Sequence, residues 1–347
     1  MPVRPADMIP RSLLVPLASS LVAFAGFASV ASAQAVEYRL GDEGWSVDRE
    51  PEAGTDEAFI AEMRRLIAED RPSKARRELD KWIEFNEFRQ NPWMAEALLA
   101  RGDAWVGKGN EYKALFDYER LIREYPESDA FAQAVEREVV IARAYLGGMR
   151  RKLGVFRIED AETVGEELLV RAQERLPGSV LAEKAAIDLA DHYYAERDMP
   201  AASEAYEIFL TNYPRSDRAK HALKRWIFSN IARFRGPKYN AEPLLEAEIL
   251  LDRFVRLYPG DAERESLDPG LRSRLDESAA AQMLETARWY ASTGDETSAR
   301  FTIRRLVRNH PATVAAQRGR EVAEREGWEL APSRAGEQPV TGEGAGR

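Results

Sequence analysis

Apolar residues recur along most of the chain with the 3.6-residue period of an amphipathic α-helix. The stretch 182–214 shows this most plainly, because two helical stripes are separated there by a short polar break. The first stripe comprises Ala186, Leu189, Ala190 and Tyr193, and the second comprises Ala202, Tyr206, Phe209 and Tyr213. Neither short helix can bury its stripe alone. The pattern therefore predicts a helical hairpin that also packs against neighbouring hairpins.

The same spacing of small and large residues occurs three times. Counted back from a proline, the rows are Gly102, Trp105, Ala114, Tyr118, Leu121, Pro126; Ala190, Tyr193, Ala202, Tyr206, Phe209, Pro214; and Ala287, Tyr290, Ala299, Ile303, Leu306, Pro311. This spacing matches the tetratricopeptide repeat, whose period is about 34 residues. We predict an all-α fold, a right-handed tetratricopeptide-like solenoid of about six helical hairpins plus a capping helix.

The pattern divides the chain into four segments. Residues 1–33 are predicted to be a secretory signal, because an apolar run is followed by Ala31-Ser32-Ala33. The alternative is an anchor that stays uncut, since the run is about long enough to span a bilayer. Residues 34–55 are predicted as an extended leader, 56–327 as the solenoid, and 328–347 as a disordered tail. We expect no sheet within 56–327.

Residues 149–159 interrupt the repeats as a basic and apolar insertion. Two interpretations stay open. The insertion is either an ordinary loop whose apolar residues fold back onto the helices, or a loop that binds a partner.

Charge and composition exclude several classes of function for this protein. The formal net charge is −9, with basic and acidic residues interspersed, which is typical of solvated helix faces and indicates no nucleic-acid partner. Cysteine is absent, which excludes disulfides, thiolate catalysis and thiolate zinc sites. The three histidines, His192, His221 and His310, lack metal-ligand spacing, and we expect structural roles for them.

Motifs of known enzymes are missing from the sequence. There is no P-loop, Rossmann glycine motif, HExxH or GxSxG. The paired acids Asp188/Asp191 and Glu166/Glu167 are interpreted as solvated. We therefore predict no catalytic residues, no cofactor, no metal and no small-molecule substrate. The alternative, an enzyme with a repeat region as accessory, would require an additional compact domain.

The concave surface of such a solenoid is lined by the first helix of each hairpin. Consensus position places five residues on this predicted groove: Asp103, Val106, Asp191, Tyr194 and Arg288. An extended peptide or a helix could lie there, with aromatic side chains as anchors. The alternative is that these are exposed helix residues without a ligand.

The segments YERLIREYPESDAFAQA and YEIFLTNYPRSDRAKHA share a helix that ends in Tyr-Pro before a Ser-initiated helix. Over residues 94–260 the chain resembles the BamD-like proteins of outer-membrane β-barrel assembly. The resemblance implies a periplasmic scaffold whose early repeats bind unfolded barrel substrates and whose later repeats bind the barrel-forming partner. The chain departs from that family because it has no lipobox cysteine.

We accordingly predict a non-enzymatic protein-binding scaffold of the bacterial cell envelope. The protein is expected to be exported, periplasmic or peripherally associated with the outer membrane through a partner. Its partners would be other envelope proteins or peptides. The alternative is a periplasmic adaptor for cell division or Tol-Pal function.

Overall fold

The computed structural model describes residues 38–41, 44–47, 51–153 and 156–330. The predicted signal at 1–33 and most of the predicted tail lie outside these residues. The described residues before Glu52 and those from Glu52 onward belong to two separate units. Within the first unit, in the segment predicted as a leader, strands β1 (Tyr38–Gly41) and β2 (Gly44–Val47) pair antiparallel, with Leu40 opposite Trp45.

The second unit is an all-α solenoid, which confirms the predicted fold class. Its described residues form helices that pair in sequence order: α1 (Asp56–Ala68) with α2 (Pro72–Asn86), α3 (Met94–Gly107) with α4 (Glu111–Glu124), α5 (Ala130–Leu146) with α6 (Glu162–Arg175), α7 (Val180–Ala195) with α8 (Met199–Asn212), α9 (Ala219–Arg233) with α10 (Glu242–Leu257), and α12 (Pro269–Ser292) with α13 (Glu296–Asn309). The short α11 (Pro259–Arg264) lies before the last pair, and α14 (Val314–Arg325) packs on that pair.

Local sequence sets where these helices begin. Side chains that accept a hydrogen bond from the first turn cap seven of them, namely Thr55, Asn110, Ser179, Asp198, Asp268, Asp295 and Thr313. Such a cap satisfies one of the amide groups that a helix start leaves without a partner.

The aromatic-proline segments set where four of the second helices end. Tyr125, Tyr213, Tyr258 and His310 all adopt φ near −130° and ψ near 55°, and each donates its backbone N–H to the carbonyl four residues earlier. The proline that follows each of them lacks an N–H and cannot continue the helix. The chain therefore turns at the equivalent point in these four repeats.

Small residues occupy the crossings between paired helices, as the spacing predicts. Ala114, Ala190, Ala202 and Ala299 are fully buried, and large side chains such as Tyr118, Tyr206 and Phe209 fill the space beside them. The apolar core forms three successive clusters along the solenoid, with Tyr193 packed against the first two. Each repeat is thus stabilised both by the packing of its own two helices and by its neighbours.

The prediction of no sheet within 56–327 was wrong at the insertion. Strands β3 (Arg151–Leu153) and β4 (Phe156–Glu159) form an antiparallel ribbon. Its basic residues make the contacts to the repeats: Arg157 donates to the carbonyl of Gly109 at 3.0 Å and to Glu111 at 2.8 Å, and the Arg151 guanidinium lies 4.0 Å from the centre of the Tyr112 ring. Phe156 is exposed, so this apolar residue does not fold back as the loop interpretation expected.

The polar stretch after Tyr258 forms the short helix α11, because Pro259 can occupy the first turn of a new helix. The C-terminal boundary differs from the prediction of a disordered tail from residue 328. Trp328 is buried in the last apolar cluster, and its indole donates to Glu296 at 2.8 Å. Among the helices of the described ranges, none combines the length and hydropathy that a bilayer crossing requires.

Candidate functional site

The predicted groove residues lie on the first helices of three hairpins. Asp103 and Val106 are on α3, Asp191 and Tyr194 are on α7, and Arg288 is on α12. The first two pairs share one spacing, so each pair lies about one helical turn apart on a single helix face. The structure places each pair together but leaves its role in binding a partner as a prediction.

Asp103 connects three helices. Its Oδ1 atom accepts a hydrogen bond from the Tyr118 hydroxyl on α4 at 2.7 Å and another from Arg137 Nε on α5 at 3.0 Å. Burial, together with the negative charge of Asp103, raises the pKa of the Tyr118 phenol far above its ordinary value. Tyr118 therefore stays a hydrogen-bond donor. Val106, one turn further on, is half-buried against the first apolar cluster.

Asp191 repeats this arrangement two hairpins later. Its Oδ1 atom accepts from the Tyr206 hydroxyl on α8 at 2.5 Å and lies 2.7 Å from Nε2 of His221 on α9. Burial raises the pKa of the Asp191 carboxyl, but the hydrogen bonds from His221 and Tyr206 and the charge of Arg225 outweigh it, so the pKa lies below its ordinary value. Asp191 is thus a fixed negative charge on the candidate groove.

The position beside Asp191 combines an aromatic ring with two arginines. Tyr194 packs edge to face on Tyr206, and the Arg225 guanidinium lies 4.1 Å from the centre of the Tyr194 ring. Stacking of this kind holds an arginine in place while its donors stay available. An open pocket of about 590 Å³ is formed there by Asp191, Tyr194, Ala195, Arg197, Met199, His221 and Arg225.

Charge within this pocket is unbalanced. Among the described residues, neither Arg197 nor Arg225 has a carboxylate oxygen within salt-bridge distance. Asp191 is the pocket's single acidic side chain. We refer to Asp191, Tyr194, Arg197, His221 and Arg225 as the α7–α9 pocket. Its chemistry suits an anionic group next to an apolar or aromatic surface.

Arg288 lies in a different environment. It forms a 2.6 Å ion pair with Glu285 on its own helix and borders an open pocket of about 680 Å³ that also contains Lys238 and the exposed Trp289. The last repeat has Ile303 where the two earlier repeats have Tyr118 and Tyr206. The last repeat therefore has no tyrosine hydroxyl at this position. In the two earlier repeats that hydroxyl binds an aspartate of the first helix, Asp103 or Asp191.

Sequence reasoning missed Arg197, His221, Arg225 and Trp289 as candidate groove residues. His221 and Arg225 are one turn apart on the first helix of the next hairpin, and this spacing is the signal that would have indicated them. Their proximity to Asp191 depends on how adjacent hairpins stack, which no local pattern specifies. Arg288 does not line the α7–α9 pocket, which contains Asp191 and Tyr194; it borders a different pocket.

Comparison with known proteins gives two matches to family models. The YfiO family, described as an outer membrane lipoprotein, matches residues 157–335, just over half of the 347-residue chain. A tetratricopeptide repeat model matches residues 96–128, which contain most of α3 and all of α4. No curated protein matches the chain. The crystal structure of PilW, a widely conserved type IV pilus biogenesis factor, aligns at 12% identity and a TM-score of 0.29, covering 76% of this chain and 96% of PilW.

Proposed function

This chain belongs to the YfiO outer membrane lipoprotein family, and from that premise we propose that the α7–α9 pocket binds a segment of a partner protein in outer-membrane β-barrel assembly. The general function, a protein-binding scaffold of the cell envelope, follows from the family and from the repeat fold. The specific role in barrel assembly rests on the resemblance of the repeat sequences to BamD-like proteins.

The observation that carries the proposal is the stacked pair of Tyr194 and Arg225 beside Asp191. Tyrosine and arginine are the residue types that dominate binding energy in protein interfaces, because both offer a large contact area and directed donors. An extended partner segment would place an acidic side chain against Arg197 and Arg225 and an apolar side chain against Tyr194 and Met199. The Asp191 carboxylate would fix the direction of the segment by repelling misplaced acids.

The second candidate function is a periplasmic adaptor for cell division or Tol-Pal function. The same pocket would serve it, because both functions need a groove that holds a peptide segment. The two differ in the identity of the partner. We infer no catalytic role for the pocket, and the expectation that the protein is not an enzyme stays a prediction.

Site-specific photocrosslinking tests the proposal. A photoreactive amino acid replaces Tyr194 in the full chain, which is expressed in its native host, and adducts are identified by mass spectrometry. The matched control carries the same amino acid at Ile208, which is exposed on the second helix α8. We expect an adduct with a barrel-assembly protein or an unfolded barrel substrate from position 194, and none from position 208.

Three outcomes would count against this function. Adducts with septal or Tol-Pal proteins would support the second candidate, and equal adducts from both positions would indicate non-specific contact. If the additional substitution Arg225→Ala did not lower the yield of the adduct, the proposed role of the Arg225 guanidinium would be contradicted.

For location, we propose an exported protein that associates with the outer membrane through its partner. The 347 residues contain no cysteine, which is the residue that carries the lipid of a lipoprotein. Extraction of envelope membranes separates the alternatives: high salt or urea should release the protein, whereas retention until detergent is added would contradict peripheral association.

A further inference from the structure

Three side chains of metal-ligand type converge between the third and fourth hairpins, away from the α7–α9 pocket. Glu162 and Glu166 project from one face of α6, and His192 projects from α7. The His192 Nε2 atom lies 3.1 Å from an oxygen of Glu162 and 3.6 Å from an oxygen of Glu166. One donor atom from each residue falls within 4.8 Å of the others. We call these residues the α6–α7 cluster.

His192 is the unusual member of the α6–α7 cluster. Its side chain is only 7% exposed, and its Nε2 atom is buried without a hydrogen-bond partner among the described residues. The two carboxylates are near this nitrogen, but neither lies where a hydrogen bond from the ring would form. A buried polar atom without a partner is unfavourable, because it has lost its hydrogen bonds to water without replacing them. His221 and His310, by contrast, each make a hydrogen bond to an aspartate, at 2.7 and 2.5 Å.

The two carboxylates of the α6–α7 cluster also lack a basic partner other than His192 among the described residues. Neither Glu162 nor Glu166 is within 4.0 Å of an arginine or lysine nitrogen in the part of the chain that the structure describes. On the same helix Glu167 pairs with Arg171, and Glu119 on α4 pairs with both Arg171 and Arg175. Two carboxylates that share one imidazole repel each other, and a divalent cation would neutralise them.

The two carboxylates of the α6–α7 cluster are accessible, since the Glu162 side chain is 44% exposed and the Glu166 side chain 31% exposed. A pocket of about 340 Å³ is bordered by Glu162 together with Asp160, Glu196 and Arg150. Acidic residues outnumber the single arginine in this pocket. A hydrated cation could therefore approach Glu162 from solvent.

We propose that Glu162, Glu166 and His192 bind one Zn²⁺ ion that joins α6 to α7. Zinc takes imidazole nitrogen and carboxylate oxygen at about 2.0–2.2 Å, and in tetrahedral geometry two such ligand atoms stand roughly 3.3 Å apart. The separations of 3.1 and 3.6 Å at His192 are close to this value. Mg²⁺ and Ca²⁺ prefer ligand sets made only of oxygen, which the imidazole disfavours. Water would complete the coordination.

This proposal departs from three expectations from the sequence, namely that the chain has no metal site, that His192 has an ordinary structural role, and that Glu166 is solvated. The ligands stand on two different hairpins, so their spacing matches no metal motif. The proposal is independent of the partner-binding function. Its consequence is local: the ion would fix the orientation of the fourth repeat relative to the third.

Calorimetric titration of the full chain tests the site. The protein is first stripped with a chelator and then titrated with zinc chloride. We expect one equivalent to bind, and binding to weaken at least tenfold in His192→Gln and in the double variant Glu162→Gln/Glu166→Gln. The matched control is Glu174→Gln, which removes one negative charge from an exposed position on the same helix and should leave binding unchanged.

A spectroscopic measurement distinguishes metal ligation from a structural role of the same residues. Co²⁺ added to the stripped protein should give the visible absorption of a nitrogen- and oxygen-ligated ion, and the double glutamine variant should lose it while keeping its circular dichroism spectrum. The proposal would be overturned by the absence of stoichiometric zinc binding, by unchanged affinity in the variants, or by displacement of the zinc with an equal concentration of Mg²⁺.

Discussion

A Cβ atom added at Gly102 would lie 2.2 Å from Cε1 of Tyr118, so the backbone of α3 is in contact with the phenol ring of α4. Tyr118 is fully buried, and its hydroxyl is held by Asp103, which keeps the ring from moving aside. We expect Gly102→Ala to lower the free energy of unfolding by about 1–3 kcal/mol, which is typical of overpacked cores. The higher helix propensity of alanine, worth about 1 kcal/mol, makes this a lower bound on the steric cost.

Urea unfolding followed by far-ultraviolet circular dichroism measures this loss. The control is Gly260→Ala in α11, where an added Cβ meets no atom within 4 Å. That variant should be as stable as the original chain or slightly more stable. Equal stability of both variants would show that α3 and α4 can separate without cost.

The hydroxyl of Tyr206 provides a second prediction, because it binds the Asp191 carboxylate at 2.5 Å. Removing it with Tyr206→Phe should cost about 1–3 kcal/mol of unfolding free energy, since the bond is to a charged group. The pKa of Asp191 should rise, because one of the hydrogen bonds that lower it is lost. Urea unfolding and NMR titration of the carboxyl measure the two effects.

Tyr145 is the matched control for that substitution. Its ring is buried, but its hydroxyl has no hydrogen-bond partner among the described residues. Tyr145→Phe removes only a desolvated polar atom, so it should leave stability unchanged or raise it. A loss equal to that of Tyr206→Phe would mean that the Asp191 contact contributes nothing specific.

The helical hairpins could be predicted from the sequence because their determinants are local. Gly102 and Tyr118, which are in contact, belong to one repeat, and their positions follow from the 3.6-residue period within that repeat. The ribbon at Arg151–Leu153 and Phe156–Glu159 could not be predicted in the same way. Its contacts are salt bridges and stacking to α4, and these depend on the course of a chain that has already folded.

The candidate site, too, could be predicted from the sequence only in part. Consensus position predicted Asp191 and Tyr194 on one helix, and the structure places both at one pocket. Their neighbours His221 and Arg225 come from the next hairpin, and the α6–α7 cluster likewise draws on two hairpins. Contacts between repeats depend on stacking angles, whereas contacts within a repeat depend on periodicity. The sequence missed His221 and Arg225 because they come from the next repeat, and it missed Arg197 because that residue lies in the turn between α7 and α8, outside the helical period.

The buried carboxyl of Glu138 should make the free energy of unfolding depend on pH. Its side chain is 1% exposed, and burial raises the pKa of its carboxyl to about 8 from an ordinary 4.5, outweighing the attraction of Arg175. Between these values the folded protein keeps a proton that the unfolded chain releases. The free energy of unfolding should therefore fall as the pH rises from about 4.5 to about 8, by up to about 1.4 kcal/mol per pH unit.

Glu138→Gln isolates this effect, because the amide does not titrate and Arg175 keeps its 2.6 Å ion pair with Glu119. The stability of the variant relative to the original chain should increase with pH when both are unfolded in urea between about pH 5 and pH 8. The exposed control Glu174→Gln should show no such trend. Parallel pH profiles for Glu138→Gln and the original chain would place the carboxyl's titration outside this range.

Trp328 closes the C-terminal end of the described solenoid, and its removal should unfold that end selectively. Its side chain is buried in the last apolar cluster, and its indole donates to Glu296 on α13. Trp328→Ala should cost about 3–5 kcal/mol locally, as for other buried tryptophans. Because each repeat is stabilised by its neighbours, hydrogen exchange should accelerate in α13 and α14 and stay unchanged in α3 and α4. The control Trp289→Ala removes an indole that is 61% exposed and should leave exchange unaltered. Uniform acceleration along the chain would instead indicate one cooperative unit, which the stacking of separate apolar clusters argues against.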